Sequence, residues 1–350
     1  MSNVSIDGGD AASTPVADGF SMPARFSTHA STLVTWPPEG ESVLEAFRDE
    51  VETVVRAIAR FEPVSVVVDP ADAVSARARL DDVAEIVAIP VDLGWIRDNG
   101  PIFVTDAERR VAGVHFDFTG WGGKYPADSV RQMPARVIEH LGMPCYSAGA
   151  FICEGGGISV DGEGTLITTE HVMMNPNRYS GSSCEDVERS LYDWLGIEKV
   201  IWLGKGLVED VGTDGHVDNV VEYVAPGVVL AQTVRDQSNP NFALLADNLQ
   251  RLRAATDARG RRLEIIEMDV LPYQQAADGK RYVVPYTNAY VINGAVIAPA
   301  IEAADDERGF RILEQAFPGR EIVPVPSIAQ AIGGGGLGCI TQQVPKGRPA

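Results

Sequence analysis

A glycine-rich stretch near the C-terminus leads into a single cysteine. It reads GGGGLGCITQQVP over residues 333–345 and contains Cys339. A thiol on so permissive a backbone has two interpretations, either a buried structural cysteine or a nucleophile on a loop that a substrate must approach closely. The residues elsewhere in the chain have to separate these two alternatives.

Four further segments carry unusual polar residues. They are GWIRDNGP with Asp98, CEGGG with Glu154, DGHVDN with His216 and Asp218, and PYTNAY with Asn288. Each signal is weak alone, since Asp98 could pair with Arg97 or cap a turn. Glu154 could be a solvated loop carboxylate, and a lone histidine is commonly structural. Alternation along a strand would put His216 and Asp218 on one face.

Taken together, these residues predict a site for a planar cation. Carboxylates gathered at one point are costly unless a cation neutralises them, and a guanidinium presents paired donors that match carboxylates. A cysteine beside it could attack the central carbon, with a histidine as general acid and base. A metal is the alternative guest, but the chain has no calcium-type Asp/Asn loop and no Cys/His cluster with zinc spacing. Asn288 is expected to add an amide to the same pocket.

A repeated order of elements would position these residues. Strand-like runs meet in polar turns near residues 106, 162, 226 and 294, and helix-like and then strand-like runs follow. Asp98, Glu154 and Asp218 precede their turns by eight or nine residues. This spacing predicts about five copies of one unit in a propeller or ring, with the polar residues converging on its axis. The alternative is generic α/β alternation with coincidental spacing.

The pattern also predicts the helices and the domain organisation. Amphipathic helices are predicted over residues 43–61, 129–142, 184–196, 241–256 and 306–317. No long linker separates the units, so a single catalytic domain is predicted over residues 18–350. Residues 1–17 are predicted to be a disordered lead.

Composition excludes several classes of protein. Asp and Glu total 49 against 29 Lys and Arg, a net charge of −20. This balance argues against nucleic-acid binding and is compatible with a cationic substrate, with solubility as the alternative explanation. No apolar run approaches the ~20 residues of a membrane span, and the N-terminus lacks the pattern of a signal peptide. The cysteines at 145, 153, 184 and 339 are therefore expected to be reduced thiols in the cytoplasm.

Seven segments resemble, in the same order, those of the agmatine deiminase and bacterial (Porphyromonas-type) peptidyl-arginine deiminase group of the guanidino-modifying (pentein) superfamily. The segments are TPVADGFSMPARFSTHASTLVTWP, WIRDNGP, GWGGKYPAD, EGGGISVDGEGTLITTEHVMMNPNR, TDGHVDN, YVINGAVIAPA and GGGGLGCITQQVP. The resemblance spans almost the whole chain. It implies a five-bladed α/β propeller with pseudo-fivefold symmetry.

The resemblance also implies a reaction. A guanidino group is hydrolysed to a ureido group with release of ammonia, without a metal or organic cofactor. Agmatine, which would give N-carbamoylputrescine on a route to putrescine, is the default substrate. A homodimer is suggested by the resemblance alone.

Residue by residue, the resemblance assigns roles to the polar set. Cys339 is the nucleophile and His216 the general acid and base. Asp98 and Asp218 grip the guanidinium, and Glu154 is the partner of the histidine.

Two aromatic residues and three departures from the family pattern complete the predicted pocket. Trp95 and Trp121 correspond to pocket aromatics, with core packing as the alternative for Trp121. Gly338 stands where relatives usually carry histidine, Gly212 where they carry a pocket glutamate, and Arg25 where they carry an acid. These changes are expected to open the pocket, and Arg25 is either a group that meets a substrate carboxylate or a surface residue in a salt bridge.

The departures keep other functions in view. Arginine, arginine within a peptide or the guanidino group of a specialised metabolite would be alternative substrates. Amidino transfer would follow if an amine, rather than water, attacked the covalent intermediate. A guanidinium-binding protein without catalysis is the alternative from a different class.

Overall fold

The computed structural model describes residues 13–38, 45–275, 279, 281–301 and 304–350. The strands of these residues are β1 (His29–Thr35), β2 (Val64–Val68), β3 (Glu85–Ala88), β4 (Ile102–Thr105), β5 (Arg110–Asp117), β6 (Cys145–Ile152), β7 (Ser159–Val160), β8 (Thr165–Thr169), β9 (Lys199–Leu203), β10 (Val221–Ala225), β11 (Val228–Gln232), β12 (Glu264–Met268), β13 (Tyr273–Gln275), β14 (Arg281–Val283), β15 (Tyr290–Ile292), β16 (Ala295–Ala300), β17 (Glu321–Pro326), β18 (Thr341–Pro345) and β19 (Arg348–Pro349). The α-helices are α1 (Glu45–Ala59), α2 (Ala73–Leu80), α3 (Ile96–Asn99), α4 (Gly120–Gly123), α5 (Met133–His140), α6 (Glu170–Met173), α7 (Cys184–Leu195), α8 (Phe242–Ala254), α9 (Asp306–Ala316) and α10 (Ile328–Ile332). Short 3₁₀ turns lie at Gly155–Gly157, Val217–Asn219 and Tyr286–Asn288.

Four modules repeat one arrangement of a hairpin, a helix and a third strand. The hairpins β4–β5, β7–β8, β10–β11 and β15–β16 are antiparallel. The third strands β6, β9, β12 and β17 lie parallel to the second strand of each hairpin, after helices α5, α7, α8 and α9. The predicted turns are confirmed, and three of them contain a glycine with positive φ, at Gly162, Gly227 and Gly294.

The two ends of the chain complete the fifth module. Strand β18 pairs antiparallel with β1, and β1 pairs parallel with β2 after helix α1. The first hairpin strand of this module therefore comes from the far end of the sequence, which explains why the first unit seems irregular when it is read along the chain. The fold is thus the predicted five-bladed α/β propeller. Helix α2 and strand β3 extend this blade by a further parallel pairing.

Helix α7 illustrates how the sequence determines an element. Ser183 and Asp186 form a reciprocal capping box at its start, and Gly196 ends it with φ 71°. Val187, Leu191 and Leu195 are buried, and their four-residue spacing puts them on the face that packs into the core. Such helices cover the sheets and leave the turns before the first strands to meet at the centre.

Three details differ from the predictions or lie outside them. Helix α5 begins at Met133 rather than near residue 129, because Pro134 is tolerated only in the first turn of a helix. The hairpin β13–β14 was not predicted. Residues 1–12 of the predicted disordered lead lie outside the described residues. Its last residues are described, and there the carbonyl of Pro15 accepts a hydrogen bond from the amide of Phe20 at 2.9 Å. The assignment of residues 18–350 to one domain stays a prediction.

Within the described ranges, no helix is both long and apolar enough to cross a membrane.

Candidate active site

A short turn precedes the first strand of every module, and a predicted site residue lies in each turn or directly before it. Asp98 lies in α3 before β4, Glu154 directly precedes the turn before β7, and Asp218 and Asn288 lie in the turns before β10 and β15. Cys339 lies in the turn over residues 337–340 before β18. The structure therefore brings all five modules together at one site. Cys339 thus has the same position in the fifth module as the other site residues have in theirs. The order of elements along the chain does not show this, because β18 lies at the far end of the sequence from β1.

Asp98 is held by two hydrogen bonds in a buried position. Trp121 Nε1 donates to Asp98 Oδ2 and the amide of Gly156 donates to Asp98 Oδ1, both at 2.9 Å. The proposed alternative of an Asp98–Arg97 pair is wrong, because the Arg97 guanidinium donates instead to the carbonyl of Gly338 at 3.1 Å and to Gln343 Oε1 at 2.9 Å. The orientation of Asp98 is thus fixed before any ligand arrives.

His216 and Glu154 form a buried pair. His216 Nε2 lies 2.7 Å from Glu154 Oε2, while His216 Nδ1 has no hydrogen-bond partner among the described residues and lies 3.7 Å from Asp98 Oδ1. Although burial opposes its charge, the carboxylates of Asp98 and Glu154 raise the pKa of His216 to about 9. The imidazole is therefore protonated at neutral pH.

Arg178 supports the pair of His216 and Glu154, and the sequence analysis did not predict it as a site residue. Its Nε and Nη2 donate to the two carboxylate oxygens of Glu154 at 3.0 and 2.7 Å. Despite burial, the hydrogen bond from His216 and the charge of Arg178 hold the pKa of Glu154 below its usual range. Arg178 lies in the family-like segment that ends in NPNR, but nothing in that segment alone indicates which carboxylate it meets.

Asp218 is a buried carboxylate with no hydrogen-bond partner among the described residues. Its exposed fraction is 0 %, and neither carboxylate oxygen accepts a hydrogen bond within the described part of the chain. Burial raises the pKa of Asp218 to about 7, against the charge of His216 and with a further contribution from Asp98. Two unsatisfied oxygens in a dry position indicate a receptor for a cationic donor.

Gly156 marks the point where these groups converge. A Cβ added there would lie 2.5 Å from His216 Nδ1, 2.9 Å from Asp98 Oδ1 and 3.0 Å from Asp218 Oδ2. The predicted strand at residues 216–218 is wrong, because Val217–Asn219 is a 3₁₀ turn. The turn nevertheless brings both side chains to this point.

Cys339 is buried beside Asn288. Its exposed fraction is 6 %, and its Sγ lies 3.9 Å from Asn288 Oδ1, which also accepts the amide of Gly338 at 2.8 Å. Burial and the carboxylates of Asp218 and Asp98 raise the pKa of Cys339 well above its usual range. A cation in the site would offset all three causes and favour the thiolate.

The glycines before Cys339 let the backbone lie close to two side chains of the pocket. A Cβ on Gly335 would lie 2.2 Å from the ring of Trp95, and a Cβ on Gly336 would lie 2.7 Å from Asn288 Oδ1. The close approach that requires glycine is therefore to pocket side chains of the protein itself.

A cavity of about 590 Å³ opens onto Cys339 and Asp98. Its lining also includes Trp95, Trp121, Asn288 and Gly212. Trp121 is both a pocket residue and a core residue, since it lines the cavity and also packs against Phe118 in the hydrophobic core. A Cβ added to Gly212 would have no described atom within 4 Å, so there is room for a side chain at this position.

Arg25 is not brought into this cavity. The lining residues, as far as the chain is described, do not include it. Its side chain is 3 % exposed, and its Nη1 donates to Glu222 Oε2 at 2.6 Å. The predicted salt bridge is therefore present, but it is buried rather than at the surface. No group of three or more His, Cys, Asp and Glu side chains in the described ranges has the arrangement of a metal site.

A five-module propeller with a buried cysteine, a paired histidine and two carboxylates is the arrangement expected of a guanidino-modifying enzyme. The Porphyromonas-type peptidyl-arginine deiminase family matches residues 21–345. The chain belongs to this family, and it is a hydrolase of the deiminase class that acts on C–N bonds.

Similar proteins support this assignment over nearly the full chain. An agmatine deiminase of Pseudomonas aeruginosa is 39 % identical, with 97 % of this chain and 99 % of that protein covered. An agmatine deiminase of Ectopseudomonas mendocina is 38 % identical over 95 % and 97 % of the two chains. The solved structure of the agmatine deiminase of Enterococcus faecalis superposes with a TM-score of 0.92 at 30 % identity, covering 96 % of this chain and 99 % of that chain.

Proposed function

We propose that the protein hydrolyses the guanidino group of agmatine to give N-carbamoylputrescine and ammonia. The observation that carries this proposal is the pair of buried carboxylates that converge near Gly156, one of which, Asp98, lines the same cavity as Cys339. Asp98 is already oriented, whereas both oxygens of Asp218 lack hydrogen bonds within the described residues. A guanidinium would supply the paired donors and the positive charge that this site lacks.

Binding and attack are the first half of the proposed reaction. Asp98 and Asp218 hold the guanidinium so that its central carbon faces Cys339. The substrate charge favours the thiolate, and the released thiol proton leaves to solvent. The thiolate forms an S–C bond with the central carbon to give a tetrahedral species. His216, protonated at neutral pH, then donates a proton to the departing nitrogen, and the C–N bond breaks to release ammonia.

Hydrolysis of the thiouronium intermediate completes the cycle. His216, now neutral, accepts a proton from a water that attacks the same carbon. As the C=O bond forms, the hydroxyl proton of the tetrahedral species leaves to solvent and the S–C bond breaks, which releases the ureido product and returns Cys339 to the thiolate. Glu154 orients the imidazole throughout, since it accepts from His216 Nε2 and leaves Nδ1 facing the other catalytic groups.

The tail of the substrate is the second element of the proposal. The two Pseudomonas-type relatives and the Enterococcus structure are agmatine deiminases, and the chain itself carries a net charge of −20. A small cation is therefore the favoured substrate. We place the enzyme in the cytoplasm and outside nucleic-acid and membrane complexes, and a homodimer remains a proposal.

One observation favours a larger guanidine as the second candidate. Gly212 lines the cavity without filling the space in front of its Cα. A substrate with a bulkier tail, such as arginine within a peptide, could occupy that space.

A panel of guanidines tests the proposal. Purified protein is incubated with agmatine, arginine, arginyl peptides and other guanidino compounds, and ammonia and ureido product are measured. Agmatine is expected to give kcat/KM of ~10⁴ M⁻¹s⁻¹ or higher, with the other compounds well below it. Preferred turnover of a peptide would establish the second candidate, and product formation only with an added amine would indicate amidino transfer.

Mass spectrometry identifies the nucleophile in the same samples. A substrate-derived mass on Cys339 is expected, and Cys145→Ala serves as the control because Cys145 is an exposed thiol outside the cavity lining. Cys339→Ala should abolish turnover while agmatine still binds. Tight binding by the unaltered protein with no turnover of any guanidine would instead indicate a binding protein.

A further inference from the structure

Two elements of the site belong to different modules and have to be held together. The turn with His216 precedes β10, and the loop with Cys339 precedes β18. A nucleophile and a general acid and base act on the same carbon only when their positions match, and misplacement by about 1 Å can cost roughly 10²-fold in rate. A chain of side-chain hydrogen bonds joins these two elements.

Asp210 is the first member of this chain of hydrogen bonds. Its Oδ2 accepts the amide of His216 at 2.9 Å, and both of its carboxylate oxygens accept from Thr213 Oγ1 at 2.6 Å. Local hydrogen bonds of this kind fix the course of the backbone. The same Oδ2 atom also accepts from Asn219 Nδ2 at 3.2 Å. Asp210 therefore holds the backbone of His216 and the side chain of Asn219 together.

Asn288 is the last member, and it contacts the loop of the nucleophile. Its side-chain Oδ1 and its main-chain oxygen both accept the amide of Gly338, at 2.8 and 3.0 Å. The same Oδ1 lies 3.9 Å from Cys339 Sγ. Asn219 connects the two ends, because its Oδ1 accepts from Asn288 Nδ2 at 3.2 Å.

The two ends of this chain determine the direction of every bond in it. A backbone amide can only donate, and an ionised carboxylate can only accept. The amide of Gly338 therefore orients Asn288 with its Oδ1 towards the loop, and Asp210 orients Asn219 with its Nδ2 towards the turn. The two side-chain amides then meet as donor and acceptor, so the connection depends on both polar groups of Asn219.

We propose that Asn219 is a positioning residue that couples the turn of His216 to the loop of Cys339. The inference rests on the proposed functions of these two residues as general acid and base and as nucleophile. Asn219 lines the cavity together with Asn288 and Cys339, so direct contact with the substrate is the alternative role. Both polar groups of its side chain already bind described residues, which favours positioning.

Two substitutions of Asn219 test this inference, because they remove different parts of the connection. Asn219→Leu is similar in size and removes both the donor and the acceptor. Asn219→Asp keeps an acceptor for Asn288 but replaces the donor towards Asp210 by a second carboxyl group. The values of kcat and KM for agmatine are measured between pH 5 and pH 8. The rate at which iodoacetamide alkylates Cys339 is followed by mass spectrometry.

Asn219→Leu should move turnover and alkylation in opposite directions. We expect kcat to fall by roughly 10- to 100-fold with little change in KM, because the reacting groups are misplaced while the substrate-binding carboxylates remain. Alkylation of Cys339 should become faster, since its loop is released from a buried position. Alkylation of Cys153, which is buried elsewhere, should stay slow, and this distinguishes a displaced loop from a poorly folded protein.

Asn219→Asp should lose activity only as the pH rises. A neighbouring carboxylate raises the pKa of a carboxyl group, so the group introduced at position 219 is protonated at low pH and can donate to Asp210. Its kcat relative to the unaltered chain should therefore fall from pH 5 to pH 8. The same ratio for Asn219→Leu should stay constant, because leucine does not titrate. Recovery at low pH also shows that Asn219→Asp is folded.

Asn248→Leu is the matched control. Asn248 Oδ1 accepts the amide of Gly204 at 3.0 Å, and its Nδ2 donates to the carbonyl of Lys205 at 2.7 Å. Its side chain thus also bridges two groups, but it lies outside the described cavity lining. This variant should lose stability and keep both the kcat and the alkylation rate of Cys339.

Two results would overturn the inference. One is a higher KM at unchanged kcat in Asn219→Leu, which would mean that Asn219 contacts the substrate directly. The other is unchanged kinetics and unchanged alkylation in both variants of Asn219. Absence of turnover in the unaltered chain would instead reject the proposed function, and the alkylation rates would still decide whether Asn219 holds the loop.

Discussion

Asp98 and Asp218 flank the same point, yet their surroundings are opposite. Asp98 accepts hydrogen bonds from Trp121 and from the amide of Gly156, both at 2.9 Å. Asp218 is more deeply buried, and neither of its oxygens accepts a hydrogen bond within the described residues. One carboxylate is complete without a ligand, whereas the other is left unsatisfied.

The difference separates two requirements of a cation site. An oriented carboxylate fixes the direction from which a guanidinium must enter, and this orientation costs little when backbone and indole donors provide it. Burying a carboxylate without hydrogen bonds lowers the stability of the empty protein. A bound cation supplies the missing donors, so the favourable interaction appears only when the ligand is present. The site therefore combines a fixed reference on the Asp98 side with a ligand-dependent gain on the Asp218 side.

Gly156→Ala should have the largest effect, because the added methyl group would occupy the space between the two carboxylates. The new Cβ would lie 2.5 Å from His216 Nδ1 and 3.0 Å from Asp218 Oδ2, so at least one of them must move. We expect kcat/KM for agmatine to fall by roughly 10³-fold or more, since misplacement by about 1 Å already costs roughly 10²-fold.

The neighbouring Gly157→Ala is the matched control for this prediction. Its added Cβ would meet its nearest atom, in Val172, at an ordinary 3.7 Å. It should keep kcat/KM within about threefold, well inside 1 kcal/mol. Equal losses in the two variants would mean that the shape of the site does not depend on position 156.

Replacing each carboxylate by its amide should affect stability in opposite ways. In Asp98→Asn, the amide group can accept from only one of Trp121 and Gly156, so a buried donor is orphaned. The free energy of unfolding should fall by about 1–3 kcal/mol. In Asp218→Asn, a buried charge disappears and no donor is orphaned, so stability should be unchanged or higher.

Urea unfolding of the two variants measures this difference. Both variants should lose most of their activity towards agmatine, because each removes a charge that faces the guanidinium. An equal loss of stability in both variants would contradict the distinction between a satisfied and an unsatisfied carboxylate.

The sequence predicted the repeating elements better than the contacts between them. The hairpin around Gly162 is local, so alternation and a turn residue suffice to predict it. The pairing of β18 with β1 joins the two ends of the chain, and no local pattern records it. The same limit applies to Arg178 and Arg25, because a charged residue in a loop does not indicate which distant carboxylate it will meet.

The pH dependence of stability should sharpen the comparison further. Burial raises the pKa of Asp218 to about 7, above its ordinary value of ~3.9. The stability linked to this proton is therefore complete below pH ~4 and is lost as the pH rises through about 7. The unfolding free energy of Asp218→Asn, relative to the unaltered chain, should rise over this interval and then level off.

Thermal unfolding at pH 5 and pH 8 provides the measurement. Agmatine should raise the melting temperature of the unaltered chain more at pH 8, where the empty site carries the charge of Asp218. A constant difference between Asp218→Asn and the unaltered chain at all pH values would show that Asp218 titrates normally.

Trp121→Phe should have the smallest effect. It leaves one oxygen of Asp98 without a hydrogen-bond donor, as both oxygens of Asp218 are among the described residues. The substitution removes the indole donor at 2.9 Å from Asp98 Oδ2 and leaves the Gly156 amide in place. A single lost hydrogen bond to a charged group is worth about 1.5–3 kcal/mol, so kcat/KM should fall roughly 10- to 100-fold. Trp202→Phe is the control, since Trp202 Nε1 also donates to a carboxylate, Glu188 at 2.7 Å, but lies outside the described cavity lining. If agmatine can orient Asp98 by itself, the two variants will have the same activity, and the prior orientation of Asp98 will be shown to contribute nothing to catalysis.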